Sequence, residues 1–180
     1  RKLIAYFSNG YYKSTDDGQN WTQSLPLTSH IVYGISSSGN TVVAGLGNSD
    51  GIVYVSTDLG ESWTSSVIHS GDLNARDFAI YDNHIFAATR SHGPNDFHGV
   101  YHSSDFGENW TLINDGLGVD KNTDIIFISG DYLYTGTISN GIWRRNLFDI
   151  ITSVSYAGNN GLPDKYSLYQ NYQNPFNPST

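Results

Sequence analysis

An eight-residue unit written three times constrains this chain more than any other feature. It reads Ser14-Thr15-Asp16-Asp17-Gly18-Gln19-Asn20-Trp21, then Ser56-Thr57-Asp58-Leu59-Gly60-Glu61-Ser62-Trp63, then Ser103-Ser104-Asp105-Phe106-Gly107-Glu108-Asn109-Trp110. The shared pattern is S-[ST]-D-x-G-x-[NS]-W, followed each time by Thr and preceded by a tyrosine (Tyr12, Tyr54, Tyr101) two residues before the first Ser. The spacings are 56 − 14 = 42 and 103 − 56 = 47 residues. A decayed fourth copy lies 42 residues further on, where Ile142-Trp143-Arg144-Arg145 matches Val100-Tyr101-His102-Ser103. Self-similarity with a period in the forties is the mark of a repeat fold, in which each unit buries its apolar face against the next.

Each residue of the unit suits a tight β-hairpin. The aspartate can accept hydrogen bonds from backbone N–H groups within the turn. The glycine permits the positive φ of a chain reversal. The tryptophan is large enough to cover the turn and wedge against a neighbouring strand. Together, Ser14, Asp16, Gly18, Trp21, Ser56, Asp58, Gly60, Trp63, Ser103, Asp105, Gly107 and Trp110 resemble the Asp-box, or sialidase-type (BNR) repeat, S-x-D-x-G-x-x-W. That family includes sialidases, xyloglucanases, sortilin-like receptors and photosystem II assembly-factor-like propellers. The resemblance implies an all-β propeller of four-stranded antiparallel blades. It does not imply an enzyme, because in the family the box is a structural turn.

Composition narrows the function classes. Nine basic against 17 acidic residues give a net charge of −8, which argues against a nucleic-acid footprint. Cysteine is absent, so neither disulfides nor thiolate metal sites are available. No apolar run approaches the length of a membrane span.

Gly, Ser, Asn and Asp punctuate short runs of Val, Ile, Tyr, Phe and Thr, the pattern of strands separated by turns. Repeat one offers three strands, at 2–8, 11–14 and 21–25. Repeat two offers four, at 31–37, 41–46, 52–56 and 62–67. Repeat three predicts 77–81, 84–89, 100–103 and 109–113. Repeat four predicts 124–129, 132–137 and 142–145, with 150–155 as an outer strand. The most apolar inner run, Ile125-Ile126-Phe127-Ile128, reads as a strand buried on both faces. Since repeat one lacks its first strand and propellers close with four to eight blades, about four repeats are expected to form part of a larger ring.

Residues 1–155 are therefore read as propeller blades and 156–165 as a linker. Residues 166–180, ending Gln170-Asn171-Tyr172-Gln173-Asn174-Pro175-Phe176-Asn177-Pro178-Ser179-Thr180, resemble the opening of the type IX secretion C-terminal sorting domain of the Bacteroidetes and their relatives. Gln173 stands where that family usually has Pro, and the domain's later strands are not in the sequence. The resemblance implies export, with the type IX machinery as a partner and a secreted or cell-surface location.

Candidate site residues follow from blade topology. The boxes lie in third-to-fourth turns, so they share one rim with the first-to-second turns. Long polar loops on the opposite rim are the usual place for function. The longest runs from Arg90 through His92 and Asp96 to His98, and Arg76 lies on the inter-blade link beside it. These five residues are the binding candidates. Two guanidinium groups suit a carboxylate, and a carboxylated glycan or a protein is the expected ligand. His92, Asp96 and His98, with His102 nearby, are metal-ligand types. However, His102 holds the strand position of Lys13, Val55 and Arg144, and a solvated loop is the preferred reading. No metal or cofactor is expected. A sialidase would need an arginine triad and a Tyr–Glu pair, whereas the only glutamates, Glu61 and Glu108, sit inside boxes. Asp50, Asp72, Asp96 and Asp120 could supply glycosidase carboxyls, but no spacing singles out a pair. The sequence thus favours a secreted binding or scaffold module with no visible catalytic constellation. A fragment of a secreted sialidase- or xyloglucanase-like glycoside hydrolase is the alternative.

Overall fold

A computed structural model describes residues 3–7, 10–26, 31–47, 51–91, 98–119, 121–154 and 169–170. They form four antiparallel sheets, one per repeat. Sheet one holds β1 (Leu3–Phe7), β2 (Gly10–Ser14) and β3 (Thr22–Pro26) in sequence order. Sheet two holds β4 (Ile31–Ser38), β5 (Thr41–Gly47), β6 (Ile52–Ser56) and β7 (Thr64–Val67). Sheet three holds β8 (Asn74–Tyr81), β9 (His84–Arg90), β10 (Gly99–Ser103) and β11 (Thr111–Leu112). Sheet four holds β12 (Thr123–Ser129), β13 (Tyr132–Thr137), β14 (Gly141–Asn146) and β15 (Tyr169–Gln170). The repeat period is thereby a sheet period, the organisation of propeller blades.

Apolar side chains alternate between the two faces of each strand, so every inner sheet contributes to two cores. Tyr11, Ala44 and Leu46 join sheets one and two, with Trp63 stacked on Tyr11 at 5.6 Å between ring centres. Val43, Val53 and Val55 meet Phe78, Ile85 and Tyr101 between sheets two and three. Phe86, Ala88 and Val100 meet Ile126 and Leu133 between sheets three and four. Gly34 on β4 and Gly45 on β5 let sheet two approach β8 closely. A Cβ on Gly34 would stand 2.5 Å from the Arg76 carbonyl oxygen, and one on Gly45 2.6 Å from that of Ala75.

The three box turns share one construction, set between the third and fourth strands of their sheets. In the last copy, the Ser103 hydroxyl donates to Asp105 Oδ1 at 2.7 Å and accepts from Gly107 N–H at 2.8 Å. Asp105 Oδ1 then accepts from Asn109 N–H at 2.9 Å, and Oδ2 accepts from the Asn109 side chain at 2.7 Å. Ser14/Asp16 and Ser56/Asp58 repeat these bonds, with Ser62 Oγ in the place of the Asn amide in the second copy. The turn takes two consecutive left-handed residues: Asp17, Leu59 and Phe106 precede Gly18, Gly60 and Gly107, all at positive φ.

Two boxes also tie adjacent sheets. Ser24 on β3 donates to the Gly60 carbonyl and accepts from Trp63 Nε1–H at 2.9 Å. Ser66 on β7 donates to the Gly107 carbonyl at 2.5 Å and accepts from Trp110 Nε1–H at 3.1 Å. Trp21 instead donates to the Gly18 carbonyl of its own turn at 3.0 Å.

Repeat four departs from expectation twice. Of the outer strand expected at 150–155, the described residues 150–154 are helical instead. Leu147–Val154 is helix α1, whose Leu147, Ile150 and Ile151 recur at helical spacing and pack into the core beneath sheet four. Asn146 caps it by accepting the Phe148 N–H at 2.9 Å. The fourth strand comes from Tyr169–Gln170, paired with Arg144 and Trp143 of β14. The run Ile125–Ile128 is not buried on both faces either. Ile126 is 2% exposed, but Ile125 and Phe127 are 51% and 44% exposed, because among the described residues nothing packs on that side of sheet four. No helix among the described residues is long and apolar enough to cross a membrane.

Candidate functional site

The first strands of sheets two, three and four each carry a β-bulge at the same repeat position. Pairing slips between Val32 and Gly34, between Ala75 and Asp77, and between Thr123 and Ile125. The extra residues are Tyr33, Arg76 and Asp124. A bulge re-aims the side chain of its extra residue out of the regular alternation. Here the three side chains meet across the sheets. The Arg76 guanidinium lies over the Tyr33 ring, 4.2 Å from its centre, and Arg76 Nε stands 3.3 Å from Asp124 Oδ1. Arg90, at the end of β9, brings Nη1 to 3.7 Å from Asp124 Oδ2. An aromatic face, two cations and one carboxylate thus form a row across the starts of β4, β8 and β12 and the end of β9, all partly exposed.

Chain direction fixes the rim. First strands begin, and second strands end, on the side opposite the box turns. The boxes bond across their own rim, Leu59 N–H to the Asn40 carbonyl at 2.9 Å and Phe106 N–H to that of Asn83 at 3.0 Å. The row Tyr33, Arg76, Asp124 and Arg90 lies at the other.

The ground beneath the row is rigid and polar. Asp77, next to Arg76, accepts Phe78 N–H and Ile126 N–H, each at 2.9 Å, and so ties sheet three to sheet four. Burial raises its pKa against the pull of those two bonds. Thr123 Oγ1 accepts from Thr89 N–H at 3.0 Å and donates to the Gly99 carbonyl at 2.9 Å. Asn114 holds the start of β10, donating to the His98 carbonyl at 2.8 Å and accepting from Val100 N–H at 2.9 Å.

Of the five candidates read from sequence, Arg76 and Arg90 are brought together through Asp124. His98 is buried beside the start of β10 and does not join the row. His92 and Asp96 lie outside the described residues. Tyr33 and Asp124 were not singled out by sequence. The signal that could have found them is their shared repeat position, just after Val32, Ala75 and Thr123. His102 lies on the box side of sheet three, its Nε2 2.9 Å from His84 Nδ1 and its ring stacked on Phe86. Burial first, then His84 and Arg145 nearby, pull its pKa down to about 4.

No protein-family model matches the chain, and no curated protein matches it. Solved structures match its fold. A chain in the crystal structure of the Mitotic Checkpoint Complex aligns at TM-score 0.64 and 14% identity, over 81% of this chain and 43% of that one. An ancestral GH74 enzyme aligns at TM-score 0.60 and 19% identity, over 81% and 22%. YCF48 from Cyanidioschyzon merolae aligns at TM-score 0.53 and 16% identity, over 68% and 39%. The chain spans less than half of each of these proteins' chains. At such identities the likeness carries the fold alone: four antiparallel sheets arranged as blades of a β-propeller.

Proposed function

We propose that this chain is a propeller binding module of an exported protein, and that the rim carrying Tyr33, Arg76, Arg90 and Asp124 is its recognition face. The observation that carries this reading is the row itself. Three successive bulges aim unlike polar side chains at one another where a regular strand would have kept them apart. Two guanidinium groups share one carboxylate, so an anionic ligand can compete with Asp124 for both through paired hydrogen bonds. A carboxylated glycan or an acidic peptide has the fitting chemistry. Binding is placed ahead of glycoside hydrolysis because the two carboxyls described in and beside the row are engaged: Asp124 faces two arginines, and Asp77 holds two backbone N–H groups. Of the candidate glycosidase carboxyls read from sequence, Asp50, Asp96 and Asp120 lie outside the described residues.

The three repeat turns are read here as Asp boxes of the sialidase type, and the segment 166–180 as the start of a type IX sorting domain. Residues 1–155 would then be the blades and 156–165 a linker, with Tyr169–Gln170 of the following segment lending sheet four its outer strand. Fractionation of a native host would test export. Recovery of the protein only from the cytoplasm would refute it.

A screen of acidic and neutral polysaccharides tests the site. Arg76→Ala/Arg90→Ala should lose binding of acidic ligands at least tenfold, whereas Asp124→Asn, which frees both guanidinium groups, should strengthen it. Equal binding by wild type and the double variant would move the site elsewhere. Release of reducing ends from any polysaccharide would favour the hydrolase reading.

A further inference from the structure

We propose that His84 and His102 form a proton-operated latch on the third box turn, closed while both rings are neutral and released in acid. Their ring centres lie 5.1 Å apart with planes 11° apart, and 2.9 Å separates Nδ1 of His84 from Nε2 of His102. The imidazoles are therefore nearly coplanar and head to head. That is the geometry of an N–H···N bond, in which one neutral ring donates and the other accepts. Charging both rings breaks the bond, because both facing nitrogens then carry a proton.

The bond joins two segments that are already tied at this point. His84 follows the turn at Asp82 and Asn83, and His102 precedes Ser103, the first residue of the box. The Asn83 carbonyl accepts from Phe106 N–H at 3.0 Å, and the Asn83 side chain donates to the Ser104 carbonyl. Repeat two makes the same backbone tie, Leu59 N–H to the Asn40 carbonyl at 2.9 Å, without histidines. By register, Thr41 and Val55 hold the positions of His84 and His102 there. In repeat four those positions hold Tyr132 and Arg144, with the guanidinium 4.8 Å from the ring centre. Of these three sheets, sheet three alone pairs two imidazoles.

The packing opposes charge on the inner ring. His102 is buried with Phe86 stacked on it, and Arg145 of β14 faces it from sheet four. Asp105 of the box stands near His102, and Asp82 of the turn near His84. Burial, His84 and Arg145 outweigh Asp105, so the folded His102 stays neutral down to about 4; burial lowers His84 against the pull of Asp82. Once the turn and the box part, each ring takes up its proton near the ordinary value of about 6.5. Opening is thus favoured about tenfold per histidine for each pH unit below that value, until the folded ring itself is protonated.

Native-state amide exchange reads the latch, with Leu59 as the reference in the same molecule. Between about pH 7 and about pH 5, above the range where carboxylates ordinarily titrate, the protection factor of the Phe106 amide should fall at least tenfold relative to that of Leu59. A loss of global stability lowers both amides together and does not imitate this. His84→Thr/His102→Val, which installs the residues of repeat two, should abolish the difference. Equal pH dependence of the two amides in the wild-type chain, a comparison that needs no variant, would overturn the latch. So would a difference that persists in the folded double variant.

Discussion

Ser103 shows how much of a turn one small side chain can hold. Its hydroxyl is buried, accepts from the Gly107 N–H and orients Asp105. Ser103→Ala leaves that buried N–H without an acceptor and should cost about 1–3 kcal/mol. A urea midpoint equal to wild type would refute this. Acid titration separates two residue-scale effects. Hydrogen bonds from the Asn20 backbone and side chain and from Ser14 hold Asp16 at about 2; the Ser62 side chain and backbone and Ser56 do the same for Asp58. A carboxylate whose pKa is depressed on folding stabilises above its unfolded value of about 3.9. That contribution is lost as pH falls through about 2. The buried His102 acts in a higher window. Its folded pKa of about 4 lies below the unfolded value near 6.5, so the unfolded chain binds more protons between them and stability falls as pH drops from 6.5 to 4. His102→Val, the residue repeat two carries as Val55, should flatten the midpoint between pH 6.5 and 4 only. Asp16→Asn/Asp58→Asn should flatten it between pH 4 and 2 only. A slope unchanged in its own window would sink the corresponding assignment.

At the scale of elements, the strands were legible because turn residues punctuate them at a fixed period, and the repeated unit fixed which turn joined which strands. What was not legible has identifiable causes. A bulge has no residue signature: Val32-Tyr33-Gly34, Ala75-Arg76-Asp77 and Thr123-Asp124-Ile125 share no side chain, so the row they build shows in repeat position and register, not in residue type. This is why the sequence found Arg76 and Arg90 but neither Tyr33 nor Asp124. Residues 150–155 read as strand because Ile150, Ile151 and Thr152 are β-branched. The helix follows instead from Asn146 as cap and from an apolar face that fills the core against Phe86 and Leu117. That burial gives α1 a measurable share of stability. Ile150→Ala should cost about 2–5 kcal/mol, read as a lower thermal midpoint; a shift under a degree would mean that the helix is peripheral. The exposure of Ile125 and Phe127 was illegible for another reason, since an apolar residue does not reveal whether its neighbour is present.

For the whole molecule, sheet four ends the described stack on an apolar face. Phe127 stacks on Tyr134 with ring centres 5.0 Å apart, and Ile125 and Ile142 lie beside them on the same face. Exposed patches of this kind drive association. Ile125→Lys/Phe127→Lys should reduce light scattering of concentrated solutions while leaving the thermal midpoint nearly unchanged, as surface substitutions generally do. Undiminished scattering would place the sticky surface elsewhere. The serine–tryptophan ties between sheets carry a consequence of a different kind. Each tie is encoded half in one repeat, at Ser24 or Ser66, and half in the box that follows it. Repeat three has Ile113 at that serine position, and the repeat after it has no box but Trp143 and α1, which share one apolar core with Ile113. The heritable unit is therefore the joint rather than the blade. Gene duplication can lengthen or shorten such a protein by whole repeats wherever serine and box are copied in phase. A recombination point between them would bring an isoleucine to a box, or a serine to an apolar core, and selection would remove it.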